Sequence, residues 1–243
     1  MQRKSLIKSM KNYNSHTKNV LVTQTKLNAE SDEFDIIHAP LIRIQPLSID
    51  EDFLDAHYDW VILTSKNAVN LFLPYLAKTR YTKIASIGEK TTELLVKHGY
   101  HVDFEPGVYT QEGFIEEFPI DEVDISRVLY PTSRDARNIL HDYLEEYGVE
   151  VVKFSIYQPV DNIESIQLIK EKWEDINIIT FSSPSGVKVL KKYIEPNTLK
   201  DKPIVSIGAV TKKELDRLGI TSKSPEKATL ESIFEFIKEK YEV

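Results

Sequence analysis

The chain contains no cysteine, which excludes disulfides, thiolate nucleophiles and thiolate metal sites and leaves histidines and carboxylates as the only metal ligands. The histidines do not gather. His98 and His101 form the one close pair, and Gly99 between them reads as a helix stop that puts both on a turn rather than on one helical face. No metal site and no cofactor are expected. A run of about 18 apolar residues, the length needed to cross a membrane, is also missing. The basic start MQRKSLIKSMKNYNSHTKN lacks the apolar core of a secretory signal, so the expectation is a cytoplasmic protein without a membrane partner. Residues 1–17 show no periodicity and are expected to be a disordered or added lead-in, with Met10 an alternative start. Neither GxGxxG nor GxxxxGK occurs, which removes the usual phosphate cradles of a nucleotide-dependent transferase. With a net charge of −7 and no basic stripe interleaved with aromatics, nucleic acid is not an expected partner. A polyanionic ligand would need a local pocket built from helix N-termini and a few cations.

What is present is 243 residues with 41% hydrophobic content, ordinary for a soluble protein of one large domain or two smaller ones. The most informative stretch is IITFSSPSGVKVL, from Ile178 to Leu190. Ile178, Ile179 and Phe181 suit a buried strand, Ser183 suits a helix cap, and Pro184 fits the first helical position. Such a helix start offers backbone donors to a carboxylate or phosphate. It is equally a well-capped connection of the kind any parallel α/β protein needs. The same pattern occurs earlier as Trp60–Leu63, then Thr64, Ser65, Lys66 and Asn67, then a helix whose apolar positions include Ala68, Val69 and Phe72, with Pro74 expected to kink it. Further units are Ile84–Gly88 with a helix stopped by Gly99, and Arg127–Tyr130 with the turn Pro131, Thr132, Ser133, Arg134 leading into a helix closed by Gly148. Two alternating stretches, APLIRIQPL from Ala39 and Val149–Val160, are expected to pair antiparallel.

The two halves repeat. VILTSKNAVNLF from Val61 parallels IITFSSPSGVKVL; IASIGEKTTELLVKHGY from Ile84 parallels IVSIGAVTKKELDRLGI from Ile204; QEGFIEEF from Gln111 parallels TLESIFEFI from Thr229. The expected fold is therefore α/β: two small lobes with parallel sheets flanked by helices, joined by a two-stranded antiparallel connector. The discontinuous lobe is placed at residues 18–38 and 163–243, the other at 46–153, with 39–45 and 154–162 as connectors. Open α/β sheets bind ligands at the carboxyl ends of their strands, so the turns at Thr64, Gly88, Pro131, Ser182 and Gly208 are expected to line a cleft between lobes.

TSKNAV at Thr64, SIGEKT at Ser86, FSIYQPV at Phe154, FSSPSGV at Phe181 and SIGAVT at Ser206 together resemble the uroporphyrinogen-III synthase family, from about Val20 to the end of the chain. The resemblance implies two α/β lobes on a two-stranded ladder, and cyclisation of the linear tetrapyrrole hydroxymethylbilane with loss of water and inversion of the last ring. It implies no cofactor. The partners it implies are the tetrapyrrole polycarboxylate and, transiently, the preceding enzyme of the pathway, with the protein a monomer. By match to the family, Tyr157 is the candidate to assist departure of the hydroxyl, against the alternative of an ordinary strand tyrosine. Thr211 and its counterpart Thr91 are candidates for carboxylate binding, or helix-start hydroxyls that satisfy backbone. Lys66 and Arg137 are candidate counter-ions, or exposed first-turn cations. Thr64, Ser65, Asn67, Gly88, Thr132, Ser133, Ser182, Ser183, Ser185, Gly186 and Gly208 complete the expected substrate-binding set. Gln24 stands where the family often has an arginine, and little room is left for a helix before Asp35. A rival of another class is a non-catalytic two-lobed binding protein for a small anion, which would share the repeats and helix starts without needing Tyr157.

Overall fold

A computed structural model of the chain describes residues 17–120 and 124–241; the lead-in expected for residues 1–17 lies outside them except for Thr17. The described chain divides into two units, one running through Arg43 and resuming at Asp161, the other spanning Ile44–Val160.

The first unit holds strands β1 (Asn19–Val22) and β2 (Asp35–His38), and after Asp161 it holds α5 (Ile163–Glu171), β8 (Ile176–Phe181), α6 (Pro184–Leu190), α7 (Pro196–Lys200), β9 (Ile204–Ser206), α8 (Ala209–Asp216) and α9 (Leu230–Tyr241). Its sheet runs β2-β1-β8-β9 and every pair is parallel. Alternation divides the strands between two cores. Leu21, Ile179, Phe181 and Ile204 pack with α5, α6 and α8 on one face, while Val20, Val22, Ile178 and Val205 pack with α9 on the other. The β1–β2 connection makes a parallel pairing without any helix. Phe34, at its end, fills the gap by meeting Phe234 of α9 edge-on at 5.2 Å, an aromatic contact that adds about 1 kcal/mol beyond its buried area.

The second unit holds β3 (Ile42–Pro46), a 3₁₀ turn (Glu51–Asp55), β4 (His57–Leu63), α1 (Lys66–Leu76), β5 (Arg80–Ser86), α2 (Glu89–Lys97), α3 (Gln111–Glu117), β6 (Arg127–Ser133), α4 (Ile139–Glu146) and β7 (Glu150–Asp161). The strand order is β3-β7-β6-β4-β5, with β4–β5, β4–β6 and β6–β7 parallel. The expected antiparallel pair is present as β3 and β7. Leu47 N–H donates to Ile156 O, Gln158 Nε2 to Gln45 Oε1, and Asn162 N–H to Leu41 O, at 3.0, 3.0 and 2.9 Å, so positions ascend on one strand as they descend on the other. Since β7 is one unbroken strand from Glu150 to Asp161, residues 154–161 are its second half, and Asn162 caps α5. Helix α1 ends at Leu76, two residues past Pro74, and the expected helix stops Gly99 and Gly148 both have positive φ, as does Gly219 after α8.

One expectation fails. Pro131, Thr132 and Ser133 do not form a turn into a helix; β6 continues through Ser133 and α4 begins only at Ile139. The register between β6 and β4 comprises Val128 and Leu129, whereas that with β7 continues to Ser133. Beyond Leu129, β6 thus has a free side on which a proline, lacking its N–H, disrupts no ladder.

The repeat seen in the sequence is a repeat of backbone geometry. Ser65 and Ser183 have φ, ψ of −157°, 155° and −159°, 154°, and each hydroxyl oxygen accepts the N–H three residues on, Ala68 at 3.1 Å and Gly186 at 3.2 Å. Ser86 N–H donates to Phe104 O and Ser206 N–H to Lys223 O, at 3.0 and 2.8 Å. Thr110 caps α3 through Gly113 N–H at 3.0 Å, and Thr229 does the same through Ser232 N–H at 3.1 Å. The copies part at the glycine turns: Gly88 has φ of 95°, which only glycine adopts without strain, while Gly208 at 178° is extended backbone open to any residue.

Asp59 ties β4 to the entry of β6 by accepting from Ser126 N–H, Ser126 Oγ–H and Arg127 N–H at 2.8, 2.9 and 2.9 Å. Burial pushes this carboxyl up, but the hydrogen bonds outweigh burial and hold it below the ordinary carboxylate range. Because the folded pKa is depressed, the stabilisation is complete above the unfolded value of about 3.9 and lost as pH falls through the folded value. Asp59→Asn is expected to lower the unfolding free energy at neutral pH by about 1 kcal/mol and to weaken the loss of stability in acid. Urea unfolding across that range checks it; an acid limb identical to the parent's contradicts it.

Candidate active site

In each unit the strand order reverses direction at one place, and such a switch point is where an open α/β sheet leaves a crevice at its strands' carboxyl ends. In the second unit it lies between β4 and β6, because β4 continues through α1 to β5 on one side and β6 through α4 to β7 on the other. The residues there are Thr64 and Ser65 after β4, and Tyr130 to Ser133 at the end of β6.

Tyr157 reaches this place through a bulge. Thr132 pairs with Ser155 but Ser133 pairs with Tyr157, leaving Ile156 as the extra residue on β7. Val152, Phe154 and Ile156 alternate onto the face covered by α1, and the bulge adds Tyr157 to that same face directly after Ile156. A bulge re-aims the side chain that follows it. The Tyr157 phenol is 7% exposed and its oxygen lies 3.0 Å from Ser65 Oγ. Ser65 Oγ already accepts the Ala68 N–H, so its own proton is available and the pair has one donor to spare.

A second phenol lies on the opposite face of the sheet. Tyr130 is fully buried and accepts a hydrogen bond from Gln111 Nε2 at 3.3 Å. Burial pushes its pKa above the ordinary tyrosine value, and the hydroxyls of Thr132 and Thr64 partly offset this by donating to it. It therefore stays a neutral phenol at working pH. Gln111 Oε1 also accepts Leu140 N–H at 3.4 Å, which joins the starts of α3 and α4. Neither Tyr130 nor Gln111 stands out in the sequence, where Tyr130 ends an apolar strand and Gln111 opens a helix. The one signal is a tyrosine as the last apolar residue of a strand, where its hydroxyl overhangs the carboxyl end.

The remaining expected residues of this unit fall into three groups. Lys66 and Asn67 form the exposed first turn of α1. Gly88 caps α2 without a side-chain acceptor, and Thr91 in its first turn is 4% exposed. Thr132 and Ser133, expected as helix-start donors, are strand residues, as described above. Arg137 lies before α4 and is engaged bidentately by Glu112, at 2.6 and 3.0 Å; the bond from Arg137 holds the Glu112 carboxyl below its ordinary range. As an exposed pair already neutralised, it contributes little to stability.

In the first unit the switch point lies between β1 and β8. Thr23 Oγ1 donates to Thr180 O at 2.7 Å and Thr180 Oγ1 to Leu21 O at 3.0 Å, sealing the strand ends together. Beyond β8, Ser182 and Ser183 are half-buried and Ser185 is exposed, with Ser183 Oγ and Ser185 Oγ 2.9 Å apart. The Gly186 N–H, expected as a ligand donor, is taken by Ser183. Gly208 and Thr211 open α8, with Thr211 buried. Gln24 has turned inward: His38 Nε2 lies 2.8 Å from its backbone oxygen, and its side-chain oxygen is buried without a hydrogen-bond partner. Among the described residues, no three histidine, aspartate or glutamate side chains form a group suited to a metal ion, and no helix is long and apolar enough to cross a membrane.

Residues 22–235 match the profile of the uroporphyrinogen-III synthase HemD family. A putative uroporphyrinogen-III synthase of Methanocaldococcus jannaschii is 30% identical over 191 residues, 74% of this chain and 79% of that one. The uroporphyrinogen-III synthase of Synechococcus elongatus is 29% identical over 167 residues, 63% of each chain. The crystal structure of uroporphyrinogen-III synthetase from Helicobacter pylori superposes with a TM-score of 0.60 at 21% identity, covering 92% of this chain and 99% of that one, a likeness of fold. With its two doubly wound units, its antiparallel β3–β7 pair and a match running through nearly the whole chain, this protein belongs to the uroporphyrinogen-III synthase family.

Proposed function

We propose that the chain closes hydroxymethylbilane to uroporphyrinogen III, with loss of water and inversion of the last ring, and that Tyr157 assists departure of the hydroxyl. The supporting observation is the Tyr157–Ser65 hydroxyl pair at the carboxyl end of the second unit's strands, 3.0 Å apart. The substrate supplies most of the reactivity. Electron density from the pyrrole nitrogen expels the hydroxyl, the C–O bond breaks, and a cationic azafulvene remains. A proton passed from the Tyr157 phenol lets the hydroxyl leave as water. Ser65 Oγ–H can donate to the phenolic oxygen as its charge grows, since the Ala68 N–H occupies only an acceptor position of that hydroxyl. Ring closure at a substituted carbon gives a spiro intermediate that rearranges, and the proton shed when the pyrrole re-forms balances the one donated.

The protein's larger task is to hold a flexible octacarboxylate in one closure geometry before the spontaneous alternative occurs, which is catalysis by positioning. Helix starts with unpaired N–H groups suit carboxylates, each placement contributing about 0.3–1 kcal/mol, so several must act together. Lys66, Asn67, Gly88 and Thr91 in the second unit, with Ser182, Ser185, Gly208 and Thr211 in the first, are the proposed carboxylate contacts. Arg137 joins them only by exchanging Glu112 for substrate.

Turnover separates this reading from a binding protein. Protein at a small fraction of the bilane concentration is expected to consume the whole pool faster than it closes spontaneously. Consumption that stops at one equivalent, or a bilane merely protected from closure, contradicts catalysis.

A further inference from the structure

Tyr157 owes its aim to one extra residue, Ile156. A bulge alone is a loose device, because a slip of one residue turns every following side chain to the other face of the sheet. Four hydrogen bonds of the second unit meet at this bulge. On the β3 side Leu47 N–H donates to Ile156 O at 3.0 Å, and on the β6 side Arg134 N–H donates to Tyr157 O at 2.8 Å. The other two run through the next side chain. Gln158 Oε1 accepts from Arg134 Nη1 at 2.5 Å, and Gln158 Nε2 donates to Gln45 Oε1 at 3.0 Å. A side-chain relay thus crosses from the end of β6 over β7 to β3, one residue beyond Tyr157.

The relay lies on the face of the sheet opposite the phenol. Ile44 packs with Ile156 and Tyr157 in the core under α1, so Gln45 and Gln158, each next in sequence, point the other way. A guanidinium has donors only, so Arg134 sets the direction of the whole relay: the Gln158 amide must turn its oxygen to Arg134 and its nitrogen to Gln45. A slipped β7 would carry Gln158 to the α1 face and break both bonds. Arg127 and Arg137, on either side in sequence, each pair with a carboxylate, Glu150 at 2.8 Å and Glu112 at 2.6 Å. Arg134, among the described residues, instead donates to a neutral amide. The ladder from Arg127 to Thr132 already holds β6 to β7 before the bulge. What the relay adds is register beyond it.

We propose that Arg134 and Gln158 are positioning residues that lock the bulge and so hold the Tyr157 phenol against Ser65, a role that rests on the function proposed above. Arg134→Met and Gln158→Met keep the backbone bonds and much of the side-chain bulk but remove the relay. Each is expected to lower kcat about tenfold, less than the roughly 100-fold that a misplacement of about 1 Å can cost, with KM within about threefold of the parent. In a Tyr157→Phe background the same substitutions are expected to change kcat by less than about twofold, because the hydroxyl they position is gone. With Tyr157→Phe itself slowed as expected, equal losses in both backgrounds overturn the proposal, and so does an unchanged kcat in the parent background. Ring-carbon NMR of isotope-labelled tyrosine reads the same placement without substrate, the Tyr157 signal being the one missing from Tyr157→Phe. Both methionine variants are expected to shift that signal, and a signal that stays in place overturns the proposal. Where Tyr157→Phe alone keeps the parent's kcat, the catalytic reading fails and the ring signal alone decides the lock.

Discussion

Tyr157→Phe is expected to lower kcat by about 100-fold, the lower end of what a positioned proton donor contributes, while KM stays within about threefold. The split follows from geometry. Phenylalanine keeps the ring on the α1 face, where Tyr157 packs directly after Ile156, so the shape of the crevice survives and only the hydroxyl is lost. Among the described residues, that hydroxyl's hydrogen-bond partner is Ser65 Oγ at 3.0 Å. Ser65→Ala separates the structural share. It removes both this partner and the cap on Ala68 N–H, so about 1 kcal/mol of stability is expected to go with it, together with a smaller fall in kcat than Tyr157→Phe causes. Rapid-quench and steady-state kinetics read both variants. An unchanged kcat in Tyr157→Phe removes Tyr157 from the mechanism and leaves positioning alone.

The largest structural effect is expected at Gly113. A Cβ there would lie 2.3 Å from Val108 O and 2.6 Å from Val108 Cβ, and the obstructing atoms are backbone and a β-branched stem rather than a flexible tip. Gly113→Ala is therefore expected to cost about 3 kcal/mol, the upper end for overpacking, and to lower the melting temperature by about 6–12 °C. The corresponding position of the other repeat carries Ser232 at the same distance after its capping threonine, so the demand arises from Val108 and not from the helix. Ser232→Ala serves as the control, with a change of about 0.5 kcal/mol or less. Thermal unfolding that is unchanged in Gly113→Ala contradicts the close approach of Val108.

How much of this could be read in the sequence depends on how local its cause is. The strand–serine–helix turns at Ser65 and Ser183 were legible because a cap acts within three residues, and the two copies have nearly the same φ and ψ. The repeat was legible because it preserved strands, glycines and caps in order. The β3–β7 pairing followed from alternation between prolines. Pro131 misled for the opposite reason: its setting depends on where β4 stops pairing with β6, a tertiary fact absent from the residues around it. The aim of Tyr157 is likewise set by the extra residue Ile156, which a strict alternation of side chains cannot express. Arg137 was legible as a cation at a helix start, but Glu112, which occupies it, lies on a different helix.

The central claim is that the protein dictates which closure of the bilane occurs. The direct test is to supply freshly made hydroxymethylbilane, oxidise the products and separate the type I and type III porphyrin isomers. The account predicts predominantly type III with the protein present, and type I from the same bilane left to close without it. Folded protein that consumes the bilane yet yields only type I would contradict the account at its root.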